Sequence, residues 1–193
     1  MKRIGVFGGT FDPIHNGHIT IAEEVFKELS LDKIIFVPAH IPPHKLHAKI
    51  ASAQDRYNMV KLAVGYNDNF EVSDIEINRE GPSYSIDTIK ELKENIGTDS
   101  EFYFLIGSDS IAELKYWKDF NSLLKIVKFV VVNRPRYSFE GMPKGALRIQ
   151  LRGIDISSSK IRNRIREKEP IDSLVPEKVK EYIIKKRLYK DEK

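Results

Sequence analysis

Residues 2–18 read KRIGVFGGTFDPIHNGH. The apolar run Lys2–Phe7 stops at Gly8-Gly9, as a buried strand does when it meets a turn. From Gly17 the period changes: Ile19, Ala22, Phe26 and Leu29 recur at three- and four-residue spacings, so one face of a helix is apolar. A strand, a glycine-bearing loop and a helix in that order form the opening unit of an α/β sheet.

The rest of the chain repeats the alternation. Lys33–Pro38 (KIIFVP) predicts a second buried strand. Ser52-Ala-Gln-Asp55 has the shape of a capping box, and Met59, Leu62 and Ala63 continue a helix behind it. Phe70–Ile77 alternates as a strand should, and Ser83–Ile96 carries Ile86, Ile89, Leu92 and Lys93 at helical spacing. Phe102–Ile106 and Ile126–Val132 predict two more buried strands, and Leu147–Leu151 a weaker one. Two helices close the chain, one beginning near Ser157 and one after Pro176. The expected class is therefore α/β, a doubly wound parallel sheet with helices on both faces. Ligands in such sheets bind beyond the carboxyl ends of the strands. The length of 193 residues suits one domain over 1–193, with the final helices from about 157 packed as a small C-terminal portion. There is no internal repeat, and residues 135–146 (PRYSFEGMPKGA) are the most loop-like segment.

Composition narrows the class. Hydrophobic residues make up 41% and charged residues 31%, ordinary values for a globular protein. The absence of cysteine removes disulfides, thiolate catalysis and cysteine-ligated zinc. Met1-Lys2-Arg3 is basic, but the apolar run behind it ends too soon for a secretory signal. No stretch approaches the ~20 apolar residues of a membrane span, so a cytoplasmic protein without a membrane partner is expected. The net charge of +4 suits a polyphosphate and also nucleic acid. A lysine-rich surface accounts for it equally well, so charge decides nothing.

The first loop carries the chemistry. Gly8 and Gly9 let backbone approach a ligand closely, and the following helix start offers free N–H groups to an anion. His15 and His18, two of the five histidines, stand at that terminus with the spacing that lets both face one anion. The loop is neither a Walker A sequence nor G-x-G-x-x-G. No nearby carboxylate completes a metal site with the two imidazoles, so none is expected. Five other segments fall at strand ends or helix starts, and a tryptophan follows one of them. Pro42-Pro43-His44-Lys45 offers an ammonium as a point charge for phosphate. Asp155–Arg162 (DISSSKIR) places Ser157 and Ser158 at a helix start, where they cap it and bond phosphate, with the Arg162 fork nearby. Gly107-Ser108-Asp109 ends one strand and Asn133-Arg134 the next. Trp117 is a stacking plate flanked by lysines, and Gly81–Ser85 leads into a helix start able to hold a carboxylate.

GGTFDPIHNGH resembles the signature of the HxGH/TxGH nucleotidylyltransferase superfamily, and within it the bacterial nicotinate mononucleotide adenylyltransferases. The likeness runs through PPHK and ISSSKIR to the closing LVPEKVKEYIIKKRLY, essentially the whole chain. It implies a Rossmann-like nucleotidylyltransferase fold and transfer of AMP from ATP to nicotinic acid mononucleotide. It assigns His15, His18, Lys45 and Arg162 to catalysis. It also assigns Gly8, Gly9, Thr10, Phe11, Gly107, Asp109, Arg134, Ser157 and Ser158, with the histidines and Arg162, to ATP. Tyr84, Ser85, Trp117 and Lys45 would meet the acceptor, with Ser85 standing where threonine is common. Mg2+ would arrive on ATP, no nucleic-acid partner is implied, and a homo-oligomer is left open. His15 argues against phosphopantetheine adenylyltransferases, which carry TxGH; nicotinamide mononucleotide and cytidylyl transfer, or a non-catalytic nucleotide sensor, are the other readings.

Overall fold

The computed structural model describes residues 1–43, 49–97, 99–135, 137–151 and 155–190. Lys45 therefore lies outside the described residues. In chain order the elements are β1 (Lys2–Gly9), α1 (Asn16–Glu28), β2 (Lys33–Pro38), α2 (Ala53–Val64), β3 (Phe70–Val72) and α3 (Ser85–Ile96). There follow β4 (Ser100–Gly107), a 3-10 helix (Ser108–Tyr116), α4 (Phe120–Ile126), β5 (Lys128–Val132), β6 (Leu147–Ile149), α5 (Ser158–Arg166) and α6 (Glu177–Lys186). The six strands pair in the order β3-β2-β1-β4-β5-β6, and every pairing is parallel. This is a doubly wound sheet in the Rossmann-like order. Winding reverses between β1 and β4, so the loops leaving those two strands diverge and open a crevice.

Strand alternation divides the core into two layers. Phe7, Ile34, Phe36, Tyr103, Leu105, Val130 and Val132 point to the face covered by α1, α2, α5 and α6. Ile4, Val6, Ile35, Val37, Phe102, Phe104, Phe129 and Val131 point to the face covered by α3, the 3-10 helix and α4. Near-continuous apolar runs are the signature of strands buried on both sides. The first face is closed late in the chain: Tyr182 of α6 accepts from Asn58 (3.0 Å) and donates to Asp55 (2.9 Å), both on α2. Ser52 caps α2 by accepting the Asp55 N–H at 3.0 Å. Among the described residues no helix is long and apolar enough to cross a membrane.

Two segments depart from the sequence expectation. The alternation of Phe70–Ile77 becomes strand only over Phe70–Val72, where Ile34, Ile35 and Phe36 supply partners. Beyond it the chain turns: the Ser73 hydroxyl takes the Ile75 N–H (3.3 Å) and the Asp74 carbonyl takes the Asn78 N–H (3.0 Å). Ile75 and Glu76, adjacent in sequence, are both buried in that turn, so burial there does not follow the alternation of a strand. The run 126–132 begins as the end of α4, a helix entered through Asp119 in the left-handed conformation (φ 46°, ψ 47°). Strand geometry starts only at Lys128, opposite Tyr103.

Phe36 is fully buried between Phe7, Phe11 and Phe70, at centroid distances of 5.6, 6.0 and 5.6 Å. Phe36→Ala is expected to cost about 3–5 kcal/mol through lost burial and the cavity left behind. In urea titrations the midpoint should fall while the slope holds; an unchanged midpoint would contradict this packing.

Candidate active site

The loop leaving β1 folds back on itself. A Cβ on Gly9 would meet the Phe11 ring at 3.0–3.2 Å, a tight fit that would require that ring to give way by a few tenths of an ångström, and Phe11 itself holds φ 48°. Phe11 then lies edge-on to His18, 5.1 Å between centroids at 80°. His15 is the N-cap of α1 with extended backbone (φ −147°, ψ 167°). Its N–H donates to Nδ1 of His18 at 3.2 Å, and the two rings stack at 3.6 Å and 24°. Because Nδ1 of His18 accepts, the neutral ring carries its proton on Nε2 and presents a donor there. His15 is 1% exposed. Burial pushes its pKa down to about 3, with the charge of Arg134 acting in the same direction. His15 is thus a neutral plate behind a half-buried His18.

The second motif meets the first across the fold. Ser157 caps α5 by accepting the Lys160 N–H (3.3 Å). The next hydroxyl, Ser158, donates to the Pro13 carbonyl at 2.9 Å. On the second turn of α5 Arg162 donates from Nη1 to the Asp12 carbonyl (2.8 Å) and from Nη2 to Ser159 Oγ (3.2 Å). Its Nη1 stands 3.7 Å from Asp12 Oδ2. Arg162 therefore leans on the β1 loop without being locked to a carboxylate.

Across the switch point, a Cβ on Gly107 would stand 2.2 Å from Asp109 Oδ1 and 3.2 Å from Arg134 Cγ. The absent side chain lets Asp109 and Arg134 close over the end of β4. Ser108 Oγ accepts the Arg134 N–H at 2.9 Å and donates to the Tyr137 carbonyl at 3.3 Å, joining the ends of β4 and β5. Trp117 stands edge-on to Phe104 (5.9 Å, 87°) and tilted on Phe129 (6.4 Å). It lines a groove of about 1050 Å³ with Asp109, Tyr137 and Gly141. Tyr84 precedes α3, whose first residue is Ser85. Lys118 sits 4.8 Å from the Tyr84 ring centroid and 2.7 Å from Asp87 Oδ2.

Several residues that shape the site were not singled out from the sequence. Arg56 of α2, 1% exposed, donates to three backbone carbonyls: Thr10 (2.8 Å), His40 (3.0 Å) and Ala51 (3.0 Å). Its signal was available, since it occupies the apolar stripe with Met59, Val60 and Ala63. Asp12, within the quoted loop, takes the Ala51 N–H (3.1 Å) and the Tyr189 hydroxyl (2.8 Å) on Oδ1. His40 N–H donates to Ser83 Oγ (2.9 Å), and its Nδ1 lies 3.1 Å from the Arg79 carbonyl, joining the β2 loop to the turn before α3. Glu76, buried there, accepts from Thr88 Oγ1 at 2.6 Å. Burial pushes its carboxyl up against the opposing effect of its hydrogen bonds and of Arg79. Among the described residues no three His, Asp or Glu side chains group as metal ligands.

A helix start carrying two stacked imidazoles thus meets an arginine from a distant helix around one loop. Residues 6–164 match the family described as cytidylyltransferase-like. A probable nicotinate-nucleotide adenylyltransferase of Clostridium novyi is 44% identical over 201 residues, covering 98% of this chain and 100% of its own. The nicotinate-nucleotide adenylyltransferase of Bacillus subtilis is 42% identical over 189 residues, 98% of this chain and 99% of its own. The chain belongs to this family, in its nicotinate-nucleotide adenylyltransferase branch. The solved Plasmodium falciparum nicotinic acid mononucleotide adenylyltransferase complexed with NaAD superposes with a TM-score of 0.83. The match covers 98% of both chains at 23% identity, a likeness of fold. Within this family fold, the β1 loop, α5 and the ends of β4 and β5 are the parts just described.

His15 ties stability to pH. Its folded pKa lies below the unfolded value, so the unfolded chain takes up the proton first and stability is lost as pH falls from about 6.5 toward 3. Between pH 7 and pH 5 this group should account for about 2 kcal/mol of the loss. His15→Gln is expected to flatten that part of the profile in chemical denaturation. A variant with the wild-type pH slope would show that His15 is not buried neutral.

Proposed function

We propose that the chain transfers the adenylyl group of ATP to nicotinic acid mononucleotide, releasing pyrophosphate and forming nicotinic acid adenine dinucleotide. The whole chain acts as one nucleotidyltransferase domain, with α5 and α6 as its C-terminal portion, in the cytoplasm. The observation that carries the reading is the meeting of the His15–His18 pair with Arg162 around one loop at the carboxyl edge of the sheet. Relatives that match over nearly their whole length carry the same activity in their names.

An oxygen of the acceptor's phosphate attacks the α-phosphorus of ATP. The new P–O bond forms as the bond to the bridging oxygen breaks, and pyrophosphate departs with that electron pair. The nucleophile is already anionic, so no general base is needed. Rate comes from holding the reactants in line and from neutralising charge on the leaving group. His18 offers its Nε2–H to the phosphates, while His15, stacked at 3.6 Å, fixes the ring that makes the offer. The α1 N-terminus and the fork of Arg162 take the remaining phosphate oxygens, and Lys45 joins them from the β2 loop. Magnesium enters as Mg-ATP, part of the substrate, and keeps several waters. Gly8, Gly9, Thr10 and Phe11 let the nucleotide lie against backbone. Asp109 and Arg134, closed over Gly107, take its ribose side, and Ser157 and Ser158 at the start of α5 bond phosphate. Trp117 stacks on the pyridine, and the start of α3 at Tyr84 and Ser85 receives the carboxylate.

Pyrophosphate release from Mg-ATP should be strong with nicotinic acid mononucleotide and weak with nicotinamide mononucleotide or phosphopantetheine. Preference for another acceptor would overturn the roles of Trp117 and Ser85. His18→Ala should lower kcat by roughly 10²–10³-fold, as loss of a transition-state donor does, with folding unchanged.

A further inference from the structure

Beyond α6 the chain makes an unusual approach to the β1 loop. Arg187 ends the helix in the left-handed conformation (φ 53°), with its N–H returned to the Ile184 carbonyl (3.1 Å) and the Leu188 N–H to the Ile183 carbonyl (3.0 Å). Two residues later Tyr189 is left-handed again, at φ 64°. The first is the ordinary left-handed ending of a helix; the second, two residues on, carries a side chain that reaches the β1 loop. The Tyr189 ring packs against the core, and its hydroxyl donates to Oδ1 of Asp12 at 2.8 Å across 177 residues of sequence. Burial and the Asp12 carboxylate both raise the pKa of the phenol, so it stays a donor.

Asp12 is 2% exposed and its two oxygens are treated differently. Oδ1 holds two donors, Tyr189 and the Ala51 N–H. Oδ2 has no hydrogen bond from a described residue and faces Arg162 Nη1 at 3.7 Å, too far for a bond. The same Nη1 donates instead to the Asp12 carbonyl at 2.8 Å. The carboxylate is therefore turned so that it attracts Arg162 without seizing it. Without the Tyr189 hydroxyl, Oδ1 loses one of its two donors and the carboxylate can rotate. A rotated carboxylate can close a two-pronged pair with the guanidinium, the strongest geometry available to both.

We propose that Tyr189 is a positioning residue for the nucleotide site: by holding Asp12 through Oδ1 it keeps Arg162 available for the phosphates of ATP. This rests on the assignment of Arg162 to those phosphates under the function proposed above.

The test is Tyr189→Phe, which removes one oxygen and keeps the ring, read alone and together with Arg162→Ala. Calorimetric Kd for Mg-ATP and steady-state KM for both substrates are measured for each protein. With wild-type Arg162, Tyr189→Phe should weaken ATP about tenfold in Kd and KM, as loss of a charged-group hydrogen bond does. KM for nicotinic acid mononucleotide should stay within about twofold. In the Arg162→Ala background the same substitution should change ATP affinity less than about twofold, because its effect runs through that arginine. An unchanged Kd in the single variant, or losses that multiply in the double variant, would overturn the proposal. Wild-type protein that binds Mg-ATP yet turns over none of the acceptors would instead overturn the acceptor assignment and leave the Kd comparison decisive. Wild-type protein that fails to bind Mg-ATP would overturn both.

Discussion

Arg56 carries its charge into the interior and spends its donors on the carbonyls of Thr10, His40 and Ala51. Loops at the carboxyl edge of a parallel sheet leave carbonyls that neither helix nor strand can satisfy. An aliphatic residue at position 56 would fill the volume and leave those oxygens stranded. The guanidinium answers all three at once and thereby fixes the β1 loop, the β2 loop and the lead-in to α2 relative to one another. Burial lowers its pKa, which the nearby carboxylate of Asp12 opposes. The site loops are irregular in shape yet held from within by a helix.

The same device recurs in weaker form around the rim. Ser108 stitches the ends of β4 and β5. His40 and Ser83 join the β2 loop to the start of α3. Ser158 and Arg162 fasten α5 to the β1 loop. Each link runs from a side chain to backbone, so each sets where a segment lies without closing off the surface offered to a ligand. The crevice between β1 and β4 is therefore bounded on every side by segments whose positions depend on one another.

Much of this was legible beforehand for a physical reason. Strands buried on both faces cannot hide their composition, so KRIGVF, KIIFVP and the apolar run ending at Val132 announced themselves. The period change at Gly17 marked α1. Short elements were harder: β3 has three residues and takes its geometry from β2, while the 3-10 helix and α4 rely on tertiary contacts with Phe104 and Phe129. His15, His18 and Arg162 were legible because their motifs are dense and long. The contrast between the two histidines was not, since a neutral buried ring and a half-exposed donor look alike in a string of letters. Asp12 and Tyr189 escaped because their meaning is a contact across 177 residues. Arg56 is legible in the sequence as a charge on the apolar stripe of α2, though the carbonyls it serves are not.

That long-range contact also bears on the order in which the protein assembles. Closing a loop of such length costs more entropy than closing a local turn, and a fold rich in such pairings folds more slowly than one built on local contacts. The sheet and its first helices can condense around Phe36 while α5, α6 and the segment to Tyr189 are still seeking their places. The contact ties the loop that follows the first strand to the segment behind α6, so the place of that loop in the fold depends on elements at the far side of the chain order.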